Sequence, residues 1–275
     1  MKNTVCGIFL LSVIIFLLGG CRNQLTQGNA PSVIEAATPP SETETPAPEP
    51  TPLDMSEIKW IVVGDSLTEK NMAADISYYD FVQKDFQCEV VNYGRGSTGY
   101  KIPANTETFY DRIEQIDFTD ADVITIFGSF NDLGQGYEFG TAEDEGTETI
   151  GGCMNRTIEN IRAKAPEIKI GIATPTPWNL GPGYNSVTDS VVYWGVSKEE
   201  CDHYVALLME VAQRQGVPVL DLYHAGLFDP NSDVDRAQYF NENGRQDNGI
   251  HPNSYGHSLM APLWKDFLLG LLGQK

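Results

Sequence analysis

Lys59-Trp60-Ile61-Val62-Val63-Gly64 is a short apolar run that breaks at once into the polar turn Asp65-Ser66-Leu67-Thr68-Glu69. Runs this brief and this continuous in hydrophobicity mark strands buried on both faces. Four more of the same kind follow at 89–93, 122–127, 169–173 and 217–222. Between them lie helix-like segments at 78–86, 108–116, 149–165 and 198–215, with a last one at 254–272. In the segment at 198–215, Tyr204, Leu207, Leu208 and Val211 recur at helical spacing, which is a core stripe.

Alternating strands and helices give an α/β fold whose parallel sheet is wrapped by helices. The expected architecture is flavodoxin-like: three layers, α/β/α, around a five-stranded parallel sheet of order 2-1-3-4-5. In such sheets ligands sit beyond the C-terminal ends of the strands, so the segments that follow strands one, two and three become neighbours there.

Outside this pattern the chain reads differently. Residues 1–20 combine Lys2, an apolar stretch from Val5 to Leu18 and the small pair Gly19-Gly20, the pattern of a secretion signal. Leu18-Gly19-Gly20-Cys21 resembles the lipobox of bacterial lipoproteins. That resemblance implies that Cys21 carries a lipid and holds the protein to the outer face of the bacterial cell membrane. Residues 21–56 are rich in Pro, Thr, Glu and Ala and poor in large apolar side chains, the composition of a disordered tether. One globular domain is expected over 57–275.

The chain carries a formal net charge of −20, which repels nucleic acid and anionic headgroups, so membrane contact is expected through the anchor alone. Cys6 and Cys21 fall in the leader, leaving Cys88, Cys153 and Cys201 without a CxxC pair. No zinc site or disulfide framework follows from these; a Cys153–Cys201 bridge and three buried thiols both remain open. His203, His224 and His257 do not stand at metal-ligand spacing with another His or Cys, and no metal or cofactor is expected.

Four short motifs carry the chemistry. Gly64-Asp65-Ser66-Leu67-Thr68-Glu69 follows strand one, with Ser66 also suited to cap a helix. Asn92-Tyr93-Gly94-Arg95-Gly96-Ser97-Thr98-Gly99 follows strand two, and its glycines let backbone amides approach a ligand closely. Gly128-Ser129-Phe130-Asn131-Asp132 follows strand three. Asp247-Asn248-Gly249-Ile250-His251-Pro252-Asn253 precedes the last helix, where Pro252 suits a helix start.

In type and order these motifs resemble the blocks of the SGNH (GDSL-type) hydrolase family. The resemblance implies a serine esterase with Ser66 as nucleophile and His251 as its base. It also implies an oxyanion hole made of the Ser66 amide, the Gly96 amide and the Asn131 side chain. The second block is one residue short, with Gly94 as the alternative donor, and Ser129 stands where the family has Gly. Three residues before His251 the family's Asp is replaced by Asn248. A carboxylate supports an imidazolium better than an amide does, which favours Asp247 as the third catalytic residue, with Asn248 as the alternative. The Gly-x-Ser-x-Gly elbow of α/β-hydrolases is missing, since Thr68 occupies its second Gly position.

The long segment from Thr174 through Trp178 and Tyr184 to Trp194 brings aromatic rings beside the proposed site, and such faces suit sugar rings. The substrate expected is a small acyl ester, acetyl above all, on a carbohydrate. A lipid or short-chain ester, and a non-catalytic glycan-binding domain, are the alternative readings. Oligomeric state is not legible.

Overall fold

The structure is a computed structural model; it describes residues 54–72, 74–102, 106–180, 183–185, 190–192, 195–240 and 249–273. The expected signal, Cys21 and nearly all of the tether lie outside the described residues, as do Asp247 and Asn248. Among the described residues no helix is long and apolar enough to cross a membrane.

The strands are β1 (Lys59–Gly64), β2 (Glu89–Gly94), β3 (Val123–Phe127), β4 (Lys169–Ala173), the short hairpin pair β5 (Gly183–Asn185) and β6 (Ser190–Val192), and β7 (Val219–Leu220). The helices are α1 (Tyr78–Phe86), α2 (Phe109–Ile113), α3 (Ile150–Lys164), α4 (Lys198–Arg214), α5 (Asp233–Tyr239) and α6 (Ser254–Leu271). One parallel sheet runs β2-β1-β3-β4-β7, which is the expected 2-1-3-4-5 order. The antiparallel β5–β6 pair stands apart from it.

The apolar continuity of β1 has a direct cause. Trp60 and Val62 pack with α1 and α6 side chains, while Ile61 and Val63 pack with those of α2, α3 and α4. Both faces of the strand are therefore core. Thr125, the polar residue in the middle of β3, is buried because its hydroxyl accepts the Trp60 indole N–H at 2.8 Å. The helix N-termini are set by side-chain caps, with capping boxes at Ser77/Asp80, Thr108/Asp111 and Ser197/Glu200.

Two local expectations change. No α-helix starts directly after β1: the chain makes a turn in which the Thr68 and Glu69 amides donate to the Asp65 carbonyl, and α1 begins only at Tyr78. Ser66 therefore caps no α-helix. At the other end Pro252 does not begin α6, because Asn253 is the N-cap and its side chain accepts from the Gly256 amide at 2.9 Å.

Candidate active site

β1, β2 and β3 end level with one another: Gly64 is registered with Gly94 on one side and with Phe127 on the other. The segments that leave these strands meet at the C-terminal edge of the sheet. Glycine is required at both first positions by close approach. A Cβ on Gly64 would stand 2.2 Å from the Thr68 hydroxyl, and one on Gly94 would stand 2.3 Å from the Thr68 backbone. Asn92 bolts the turn to β2, its amide donating to the Thr68 carbonyl at 2.7 Å while its oxygen accepts from the Gly94 amide at 2.6 Å.

The cap of the first turn is Asp65. Its carboxylate accepts the Leu67 amide at 2.9 Å, an Asx turn that leaves the neighbouring hydroxyl free for other work. The Ser66 hydroxyl lies 2.9 Å from His251 Nε2 across 185 residues of sequence. Beside His251, Gly249 takes φ +80°, a left-handed backbone that glycine adopts readily, and its carbonyl accepts from the Asn179 amide at 3.0 Å.

Gly96 is close to the nucleophile's position, since a Cβ there would be 3.6 Å from Ser66 Cβ. Its amide donates to the Glu69 carboxylate at 2.6 Å. The Asn131 side-chain amide donates to the Thr98 carbonyl at 3.0 Å and to Asp65 Oδ2 at 3.3 Å. Ser129, in the place of the family's Gly, is buried and its hydroxyl accepts the Asn131 amide at 3.0 Å, so the departure adds a brace to the turn. Four of the five expected site residues are thus brought together; the fifth, Asp247, lies outside the described residues.

Buried acids frame the site. Asp65 is fully enclosed, and burial raises its carboxyl above the usual range against the opposing pull of Ser129, the Leu67 amide and the charge of His251. Asp132 accepts from the Tyr204 hydroxyl at 2.7 Å, the Lys101 amide at 2.7 Å and the Tyr100 amide at 3.1 Å, and burial pushes it up to about 7. A Cβ on Gly99 would meet its Oδ1 at 2.4 Å, so the loop after β2 is seated on the residue next to Asn131. Arg112, almost fully buried, donates to the carbonyls of Gly64 and Tyr93, each at 2.8 Å, and ties the ends of β1 and β2.

Reading the motifs alone left Asp65, Glu69, Arg112 and Asp132 without roles. A signal existed for Arg112, which interrupts the apolar stripe of Phe109, Ile113 and Ile116 on a helix face and so had to be buried with partners.

The remaining histidines have other hydrogen-bond or stacking partners. His203 is exposed and stacks on Phe139, and exposed His224 lies 2.8 Å from Asp221, a partner the sequence did not suggest. His257 is buried and accepts the Tyr78 amide at 3.1 Å; enclosure lowers it to about 3. Cys88, Cys153 and Cys201 are all free and buried, with no bridge between Cys153 and Cys201. Among the described residues no cluster could hold a metal ion.

A cleft of about 30 Å³ opens on Ser66, lined by Asp65, Asn131, Phe130, Thr176, Trp178 and Ile250 among others. Trp178 is half-buried and stacks on Phe130 at 5.7 Å, so this ring of the aromatic segment reaches the site; Trp194 lies outside the described residues.

Residues 62–259 match the model of the GDSL-like Lipase/Acylhydrolase family. Solved structures share the fold at low identity. A protein from Lactobacillus plantarum is 21% identical with a TM-score of 0.64, over 78% of this chain and 97% of its own. A possible lipase from Chitinophaga pinensis is 20% identical, TM-score 0.58, over 79% and 100%. A carbohydrate acetylesterase family member from Sinorhizobium meliloti is 15% identical, TM-score 0.51, over 78% and 99%. No curated protein matches. With the family matched over most of its length and the sheet in that fold's order, the chain belongs to the GDSL-like lipase/acylhydrolase family of SGNH hydrolases and is an ester hydrolase.

Proposed function

We propose that the protein removes small acyl groups, acetyl in particular, from a carbohydrate through an acyl-enzyme on Ser66. The observation that carries this reading is the 2.9 Å contact between the Ser66 hydroxyl and His251 Nε2 at the mouth of a cleft lined by Asn131 and Trp178. His251 takes the hydroxyl proton as Ser66 Oγ attacks the ester carbonyl, then returns it to the departing alcohol. A water activated by the same imidazole releases the acid in the second step. The oxyanion is held by the Ser66 amide, the Gly96 amide and the Asn131 side chain. Asp247 is assigned the support of His251, with Asn248 the alternative.

Trp178 at the wall of the cleft suits a sugar ring. The carbohydrate acetylesterase among the structural neighbours accords with this choice. The location proposed is the outer face of a bacterial membrane, held by lipid on Cys21.

Turnover of acetylated glycans compared with nitrophenyl esters of increasing chain length tests the reading. Rates should fall steeply beyond acetyl and vanish in Ser66→Ala. Rates that rise with chain length would assign a lipid or longer ester, and no turnover of any ester would leave a non-catalytic glycan-binding domain.

A further inference from the structure

We propose that Glu69 is a gate on the oxyanion hole, its carboxylate holding the Gly96 amide in the resting enzyme and leaving when an ester carbonyl enters. The inference rests on the acyl-transfer reading above and adds a control element to that site.

Glu69 follows Ser66 by three residues in the turn closed by the Glu69 amide on the Asp65 carbonyl, and residues three apart in such a turn share a face. Its Oε2 accepts the Gly96 amide at 2.6 Å, a short charge-assisted bond. A donor in an oxyanion hole must stand about 2.7–3.1 Å from the oxygen that develops charge. The Gly96 amide has one hydrogen, and Glu69 already has it. A carboxylate beside a developing oxyanion is also a like charge in a shielded site, which disfavours the transition state as long as it stays.

Asn131 contrasts with this arrangement. Its side-chain amide has two hydrogens, and the one directed at Asp65 makes a long contact of 3.3 Å that yields readily. The tight closure is therefore the one on Gly96. Glu69 is half-buried, and the neighbouring Met72 is 50% exposed, so the carboxylate has a short route to solvent.

Breaking one charge-assisted hydrogen bond before chemistry slows the enzyme by roughly tenfold or more. Glu69→Ala should raise kcat/KM for 4-nitrophenyl acetate, and the rate of labelling by a fluorophosphonate, by about that factor. Glu69→Gln keeps an uncharged acceptor and should give a smaller rise, which tests the gate even if the alanine variant folds poorly. Acetate ion added to Glu69→Ala should re-close the vacated amide and slow labelling more than it does in the wild type. Equal or lower rates in both variants at unchanged melting temperature would overturn the gate while leaving Ser66 chemistry intact. If the wild type neither turns over esters nor labels, the underlying acyl-transfer reading fails instead.

Discussion

The two faces of the sheet are packed with different chemistry. Against α1 and α6 the core is aromatic: Tyr78 and Trp264 stack at 4.7 Å, Trp60 lies 5.8 Å from Trp264, and Phe127 meets Tyr78 edge-on at 5.5 Å. Against α2, α3 and α4 it is largely aliphatic, with Ile124, Ile126, Ile158, Ile161 and Leu208 buried together. Among the titratable groups enclosed on each face, one on either side is displaced in the opposite direction to the other. His257 on the aromatic face is lowered to about 3, and Asp132 on the aliphatic face is raised to about 7, both by burial. The active edge thus rests on two buried polar groups whose responses to acid oppose each other.

The largest effect should come from the aromatic face. Trp264→Ala removes the ring shared by Trp60, Tyr78 and Phe127 and should cost about 3–5 kcal/mol in denaturant unfolding. Ile158→Val across the sheet, equally buried, should cost about 1 kcal/mol. A cost for Trp264→Ala no larger than that for Ile158→Val would mean that the indole contributes little to the packing of this face.

The opposed titrations give a sharper comparison. His257 binds protons less readily folded than unfolded, so its contribution is present above pH 6.5 and is lost as pH falls toward about 3. Asp132 binds protons more readily folded, so its contribution is present below about pH 4 and is lost as pH rises toward about 7. Between pH 7 and 5 each amounts to about 2 kcal/mol with opposite sign, and they nearly cancel. His257→Gln should therefore gain stability relative to wild type on acidification from pH 7 to 5, and Asp132→Asn should lose it. Chemical denaturation at the two pH values decides, and parallel slopes in all three proteins would remove both assignments.

Much of this was legible in the sequence because buried parallel strands announce themselves as apolar runs, because Ser66, Gly96 and Asn131 follow the ends of such strands, and because His251 stands just before the last helix. What escaped reading had no such pattern. α5 buries none of its residues, so it has no apolar stripe; the Ser232 cap and the Arg236 bond to the Pro230 carbonyl mark it instead. The last strand pairs only at Val219–Leu220, although its apolar run extends from 217 to 222; Pro218 within it has no N–H to give to a ladder. The cap at Asp65 and the Glu69–Gly96 bond depend on which of several competing polar groups wins a given amide, a matter of ångströms rather than residue type.

The nucleophile itself is the central assignment. Incubation with a fluorophosphonate followed by peptide mapping tests it most directly. A stoichiometric adduct is expected on Ser66, absent in Ser66→Ala and formed more slowly by orders of magnitude in His251→Ala. An unlabelled wild type, or an adduct that persists in Ser66→Ala, would contradict it.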